Sequence, residues 1–437
     1  MGGTASGGSP AAPALSGSRR PGTPFPPPPV LDGHHHGRSE GRQVTGADAM
    51  RVLVIGGGIA GTATALGLHK AGADVTVFEA HPDTAEDIGA FLTLASNGMR
   101  ALAELDATNA VTAVGFPLTS LRLLDSEGAE QMNGPLGEAG VPALRYRCLR
   151  RGELNAALQG EAARRGVRLC HGARLVSVTD GSDGVTAHFA DGGTATADLL
   201  VGADGLNSTV RGLVTPGTAP VYAGQRVYYG YTGTAPAADP AGAITMVRGS
   251  GAAFGYAVSP AGETYWFARA GGDPLPAGAA TAPAAVLREQ LLPLLAEDAT
   301  PAADLVAASG DAIMVTNATE LPLGTPWHTG RVLLVGDAAH AASPATGQGA
   351  SMALEDAVVL AKALRDLPGP QAAFTAYERH RRPRVEHNIT VSGGLSRGTR
   401  TPSAPAPVMA RPAEPDGRLL RQLAWDAPLT AVPPEPH

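Results

Sequence analysis

The run RVLVIGGGIAG, residues 51–61, constrains this chain more than any other stretch. Arg51 to Ile55 reads as a short buried strand, three glycines follow at GxGxxG spacing (Gly56, Gly58 and Gly61), and the Ala/Leu-rich segment beyond them has helical character. Each glycine has its own physical reason. Gly56 permits a tight turn, Gly58 lets the backbone approach a pyrophosphate, and Gly61 lets the helix lie close on the strand. The helix start then offers unpaired N–H groups and the positive end of its dipole to phosphate. A second strand, Asp74 to Phe78, ends at Glu79, about 20 residues past the glycines, where a carboxylate accepts hydrogen bonds from ribose hydroxyls. Strand, turn, helix, strand and acid fall in the order of a dinucleotide-binding unit. The acid favours a ribose without a 2′-phosphate, as in FAD or NAD.

With 437 residues the chain is longer than one hydrophobic core organises, about 250 to 300 residues, so two packed units are expected. Apolar residues at 43% and charged residues at 17% support a buried core. Thirty-three basic against forty acidic side chains leave a net charge of -7, which disfavours a nucleic-acid surface. Cys148 and Cys170 have neither disulfide-scaffold nor zinc-ligand spacing, so a reducing cytoplasm is the expected compartment and no metal site is expected. An apolar run of about 18 residues is absent from the sequence, which argues against a spanning helix and a membrane partner. Residues 1–49 are rich in Gly, Pro and Ser and are expected to be a disordered leader; their His34, His35, His36 triplet is a weak metal candidate. Met50, at the edge of the first strand, is an alternative start of translation.

Two later segments choose between the dinucleotides. ADLLVGADGLNSTVRG, residues 197–212, is an apolar strand running into Asp204, Gly205, Ser208 and Arg211. GRVLLVGDAAHAASPATGQGASMALEDAVVLAKAL, residues 330–364, is another strand ending at Gly336 and Asp337, then a Pro/Gly loop, then a helix. Together with GGGIAG these resemble the three fingerprints of the class A flavoprotein monooxygenases, the family of aromatic hydroxylases such as para-hydroxybenzoate and salicylate hydroxylase. The resemblance runs from about Met50 to His380.

That resemblance implies an α/β fold, a Rossmann-like FAD-binding domain carrying an inserted antiparallel β-sheet substrate domain. It assigns residues 50–115, 146–214 and 312–395 to the flavin domain and residues 116–145 and 215–311 to the sheet domain, leaving 396–437 as a tail with a short helix near Leu419 to Trp425. It implies a monooxygenase that takes reducing equivalents from NADH or NADPH and O2 as co-substrate. One oxygen passes, through a hydroperoxide at flavin C4a, into an aromatic or polycyclic small molecule by hydroxylation or epoxidation. By the same resemblance Asp337 meets the ribityl chain, and Pro344, Gly347 and Gly349 shape the loop at the pyrimidine edge of the flavin. Asp204 and Arg211 lie near the pyrophosphate, Arg151 contacts FAD with Arg150 as its competitor, and the Leu175 backbone meets the adenine. His340 and Pro344 fall near the flavin, and no catalytic base is named. Glu355 and Asp356 read as structural acids serving a helix dipole.

Of the chain's 8 Phe, 8 Tyr and 3 Trp, nine fall between Tyr222 and Phe267. A period of two puts Tyr229 with Tyr231, Phe254 with Tyr256, and Tyr265 with Phe267 on common faces. Tyr229, Tyr231, Phe254, Tyr256 and Phe267 are the expected substrate wall, and Arg248 and Arg269 are candidates to orient an anionic substrate. The quaternary state is open between monomer and homodimer. Two rivals stand beside the monooxygenase: an FAD-linked reductase or dehydrogenase of the geranylgeranyl-reductase kind, and a flavin-binding module without turnover. The WxWxIP signature of flavin halogenases is absent from the sequence.

Overall fold

The computed structural model describes residues 49–84, 89–234, 236, 241–276, 278–398 and 417–431. The expectations for the leader, its histidines and most of the tail lie outside these residues. Five strands run parallel in the order Val332–Leu334, Leu199–Gly202, Arg51–Ile55, Asp74–Phe78 and Arg168–Cys170, with His328–Thr329 added antiparallel at one edge. Both faces of such a sheet are covered, so its strands read as continuous apolar runs: Val52, Leu53, Val54 and Ile55 are all buried.

The helix Ile59–Lys70 is buried over most of its circumference, which explains the lack of an amphipathic pattern in its Ala/Gly-rich sequence. Small residues set the packing distance. A Cβ on Gly67 would stand 3.0 Å from both Ala357 O and Ala361 Cβ of the neighbouring helix Gly349–Asp366. A three-stranded meander of Leu175–Asp180, Val185–Phe189 and Thr194–Ala197 adds to the same core, with Phe189 stacked on Phe78 at 4.6 Å.

The second large sheet has seven strands in the order Met314–Glu320, Val221–Thr232, Thr264–Gly271, Ala253–Val258, Ala243–Arg248, Ser120–Leu124 and Glu130–Pro135. One expectation is corrected here. The sheet is mixed rather than purely antiparallel, because Ala243–Arg248 and Ser120–Leu124 arrive from distant parts of the chain and pair in parallel. Met314–Glu320 lies beside Val221–Thr232 at the other edge of this sheet. Phe91–Leu94, Tyr146–Arg150 and Phe116–Leu118 form a small separate sheet. The tail helix is present as Gly417–Leu423, with Leu419 and Leu423 in the core of the parallel sheet's unit. Among the described residues, no helix is long and apolar enough to cross a membrane.

Candidate functional site

The glycines of the first loop divide by what a side chain would meet. Gly56 has φ +106°, and a Cβ there would collide with the Ala203 carbonyl; one on Gly61 would collide with the Gly56 carbonyl. At Gly58 nothing lies within 4 Å. The first and third glycines therefore serve packing, and the second faces open space beside a helix start that no side chain caps. Glu79 follows its strand as expected and fastens the loop: its Oε2 accepts the Gly57 N–H at 2.6 Å and its Oε1 the His81 N–H at 2.7 Å. Each oxygen keeps acceptor capacity for a hydroxyl. Gln159 donates to the Gly57 carbonyl at 2.7 Å and Thr62 Oγ1 does so at 3.0 Å, two supports that the motif spacing does not reveal.

The third segment meets the first at Gly336. Its φ is +57°, and a Cβ there would lie 2.7 Å from Ala60 Cβ and 3.5 Å from Ala353 Cβ, so the opening turns of two helices converge on this residue. The second of these helices, Gly349–Asp366, also lacks a side-chain cap and has no acid in its first turn. Asp337, the next residue, is exposed amid buried neighbours and has no hydrogen-bond partner among the described residues. An unpaired carboxylate at the carboxyl edge of a parallel sheet, flanked by two bare helix starts, fits a ligand that brings both hydroxyls and phosphates. Pro344–Thr346 forms a single turn, and Gly347, at φ +66°, ends it as only a glycine does without strain.

Next to the Gly336 turn lies a closed cluster of charges whose arginines sequence reasoning missed. Arg381, from the helix Pro370–Ser396, is fully buried; its Nε donates to Asp356 Oδ1 at 2.7 Å and its Nη1 to Glu355 Oε2 at 2.5 Å. Arg384 and Asn97 complete the shell of Glu355, donating at 2.9 Å and 2.6 Å. Asp356 Oδ2 accepts the Gly336 N–H at 3.0 Å and stands 2.5 Å from His340 Nε2. Burial alone pushes the Asp356 carboxyl up, but His340 and Arg381 outweigh it and hold it well below the usual carboxylate range. Glu355 is likewise pushed up by burial and lowered on balance by Arg381 and Arg384. The two acids lie beyond the first helical turn and hold the turn that presents Asp337, which is a tertiary role rather than a dipole role. His340 is buried against Trp327 at 5.1 Å and directed to Asp356.

In the middle segment, Asp204 behaves as a turn and helix cap: Oδ1 accepts from Ser208 Oγ at 2.5 Å, and Oδ2 from the Thr209 and Val210 N–H groups at 2.7 and 3.1 Å. Arg211 is buried and ties this turn to the third segment, donating to Leu206 O at 2.6 Å and Ala338 O at 3.2 Å. The two neighbouring arginines differ in their surroundings. Arg150 grips both oxygens of Glu263 at 2.7 and 2.8 Å and stacks over Tyr231 at 4.5 Å, whereas Arg151 is exposed at the helix start without an ion-pair partner among the described residues. Leu175 is buried at the start of its meander strand.

The register of the large sheet corrects the substrate wall. Phe254 stands opposite Ala268 and Tyr256 opposite Trp266, so they share a face with Trp266 and Tyr228, buried with Leu287, Leu291 and Leu305 of the short helices behind the sheet. Phe254 and Tyr256 are therefore core, not pocket. The other face carries Tyr229, Tyr231, Tyr265 and Phe267, joined by Phe91, Phe116, Tyr146 and Met246. Phe91 meets Tyr229 at 6.2 Å and Tyr265 at 5.6 Å, joining the small sheet to the aromatic face. Burial pushes the Tyr229 hydroxyl up to about 12, against the opposing charges of Arg269 and Arg151. Arg248 is exposed at a strand end, while Arg269 lies on the aromatic face and donates to Ala345 O at 3.3 Å.

Residues 49–392 match the family described as FAD binding domain. Aurachin C monooxygenase/isomerase of Stigmatella aurantiaca is 33% identical over 75% of this chain and 84% of that protein. FAD-dependent urate hydroxylase of Klebsiella pneumoniae is 33% identical over 77% of this chain and 87% of that protein. The solved structure of Klebsiella pneumoniae HpxO complexed with FAD and uric acid superposes with a TM-score of 0.71 at 30% identity, covering 80% of this chain and 89% of that one. The chain belongs to the FAD binding domain family, and it is a class A FAD-dependent monooxygenase.

Proposed function

We propose that the chain binds FAD across the crevice between Gly58, Asp337 and the start of the helix Gly349–Asp366, and uses NADH or NADPH and O2 to oxygenate an aromatic or polycyclic small molecule against the face of Tyr229, Tyr231 and Phe267. The observation that carries this is the unpartnered Asp337 between two bare helix starts, beside a unit whose sheet presents a wall of aromatic rings. FAD, when bound, supplies hydride acceptance and oxygen activation.

The rest falls to this chain's residues. The N–H groups around Gly58 bind the pyrophosphate, Glu79 the adenosine ribose, and Asp337 the ribityl hydroxyls. Arg151 adds a cation at the cofactor, and the Leu175 backbone borders the adenine. The N-terminus of the helix Gly349–Asp366, with the Pro344 to Gly349 loop, opposes negative charge on the reduced ring edge. Asp204 and Arg211 act by fixing the middle turn against the Asp337 turn. The apolar face excludes water and orients the ring to be oxygenated. No side chain is required as a nucleophile. The same reading has the protein working in the cytoplasm, as a monomer or homodimer, on a small molecule rather than on nucleic acid or membrane.

Purified protein is expected to be yellow, and an aromatic substrate should accelerate NAD(P)H consumption and give a product heavier by one oxygen. A substrate-dependent redox change without added oxygen would support the reductase rival, and flavin binding without NAD(P)H turnover would support a binding module.

A further inference from the structure

Three buried polar atoms on the aromatic face have no hydrogen-bond partner among the described residues: Tyr231 Oη, Arg269 Nε and Gln225 Oε1. Their common orientation follows from register, since Gln225, Val227, Tyr229 and Tyr231 alternate onto one face and lie opposite Gly271, Arg269, Phe267 and Tyr265. Buried polar groups in folded proteins are almost always paired, so an orphaned donor beside a site points to a ligand that completes it.

Arg269 is the informative member. Its Nη1 is spent on Ala345 O of the loop that leads to Gly349, which anchors the guanidinium where the sheet meets the proposed flavin crevice. The Nε and Nη2 edge has no hydrogen-bond partner among the described residues, and such an edge donates two parallel N–H bonds to a carboxylate. No carboxylate pairs with Arg269 among the described residues. Glu263 and Glu320, which border or end strands of the same sheet, are committed to Arg150 and Arg397. Tyr229 stands next to Arg269 on this face, and Gln225 adds an amide one pair further along. A half-buried cation without a counter-ion is costly, and an anionic ligand removes that cost.

We infer that Arg269, with Tyr229 beside it, is the anion-recognising residue of the pocket, so that the aromatic substrate carries a carboxylate. The inference rests on the monooxygenase reading and narrows its substrate class.

The test uses FAD-loaded protein at neutral pH and matched probes: 4-hydroxybenzoate against its methyl ester, and 4-hydroxyquinoline-2-carboxylate against its methyl ester. Binding is read from perturbation of the flavin absorption spectrum. The wild type should prefer at least one acid to its ester. Arg269→Met should weaken that acid by about tenfold to a hundredfold, the range of one charge-assisted pair, and leave the ester unchanged. Arg269→Lys should recover part of the preference, and flavin content should be equal in all three proteins. Esters that bind the wild type as tightly as the acids, or an Arg269→Met variant that weakens both alike, overturn the inference. A wild type that takes up no FAD defeats the monooxygenase reading itself, whereas FAD-dependent oxygenation confined to uncharged aromatics defeats only the assignment to Arg269.

Discussion

Arg381 Nε lies 2.7 Å from Asp356 Oδ1, and both side chains are sealed from solvent. Removing one member of such a pair leaves the other charge buried and uncompensated, at a cost of about 3 to 5 kcal/mol. Asp356 also holds the Gly336 N–H at 3.0 Å, so the damage reaches the turn bearing Asp337. Arg381→Met is expected to lower the unfolding free energy by that amount and weaken FAD binding as well. Chemical denaturation with and without FAD checks both, and an unchanged midpoint would contradict the assignment.

The glycines of the first loop should separate folding from binding. Gly61→Ala places a Cβ against the Gly56 carbonyl, and overpacking of this kind costs about 1 to 3 kcal/mol or more. Gly58→Ala meets open space at φ -74°, a conformation any residue adopts. It should leave the thermal stability of the flavin-free protein intact while weakening FAD, because the methyl group occupies room the pyrophosphate needs.

The two sides of the large sheet should respond differently. Phe254→Ala removes a fully buried ring from the core behind the sheet, at a cost of about 3 to 5 kcal/mol, and should leave the order of substrate preference intact. Phe267→Ala should lower stability less and raise KM or the fraction of reducing equivalents lost without product. Steady-state kinetics with product quantification separates these outcomes.

Local pattern carried much of this. The strand, glycine turn, helix and acid from Arg51 to Glu79 lie within one stretch of chain, so their spacing already encodes their geometry. Period two showed that Phe254 and Tyr256 share a face, but which face looks toward the flavin unit depends on pairing with Thr264–Gly271 and on the helices behind the sheet, and alternation is silent on both. Arg381 was invisible because its partners sit on another helix, 25 and 26 residues earlier in the chain. Arg150 and Arg151 differ by one position at a strand-to-helix junction, and the turn of the backbone there sends one to Glu263 and leaves the other exposed.

Lys362 ties the tail to the body. Its buried ammonium donates to Gln422 O at 2.8 Å and Ala424 O at 2.5 Å, while Arg365 stacks on Trp425 at 4.8 Å. Burial, with the nearby charge of Arg365, pushes the ammonium down to about 8 despite Asp366 and Glu104. Above that pH the folded chain loses this proton before the unfolded chain does, so the unfolded state holds more protons until the ordinary lysine value of 10.5 is reached. Stability from this group therefore rises with pH across that window and is flat below it. The unfolding free energy of wild type minus that of Lys362→Met should increase from pH 8 toward 10.5, and a constant difference would contradict the assignment.

The most direct measurement is an FAD titration of flavin-stripped wild type and Asp337→Ala, followed by flavin fluorescence. Wild type is expected to saturate at one FAD per chain, and Asp337→Ala to retain its fold by circular dichroism while losing most of its FAD affinity. Equal affinity in the two proteins would contradict the account.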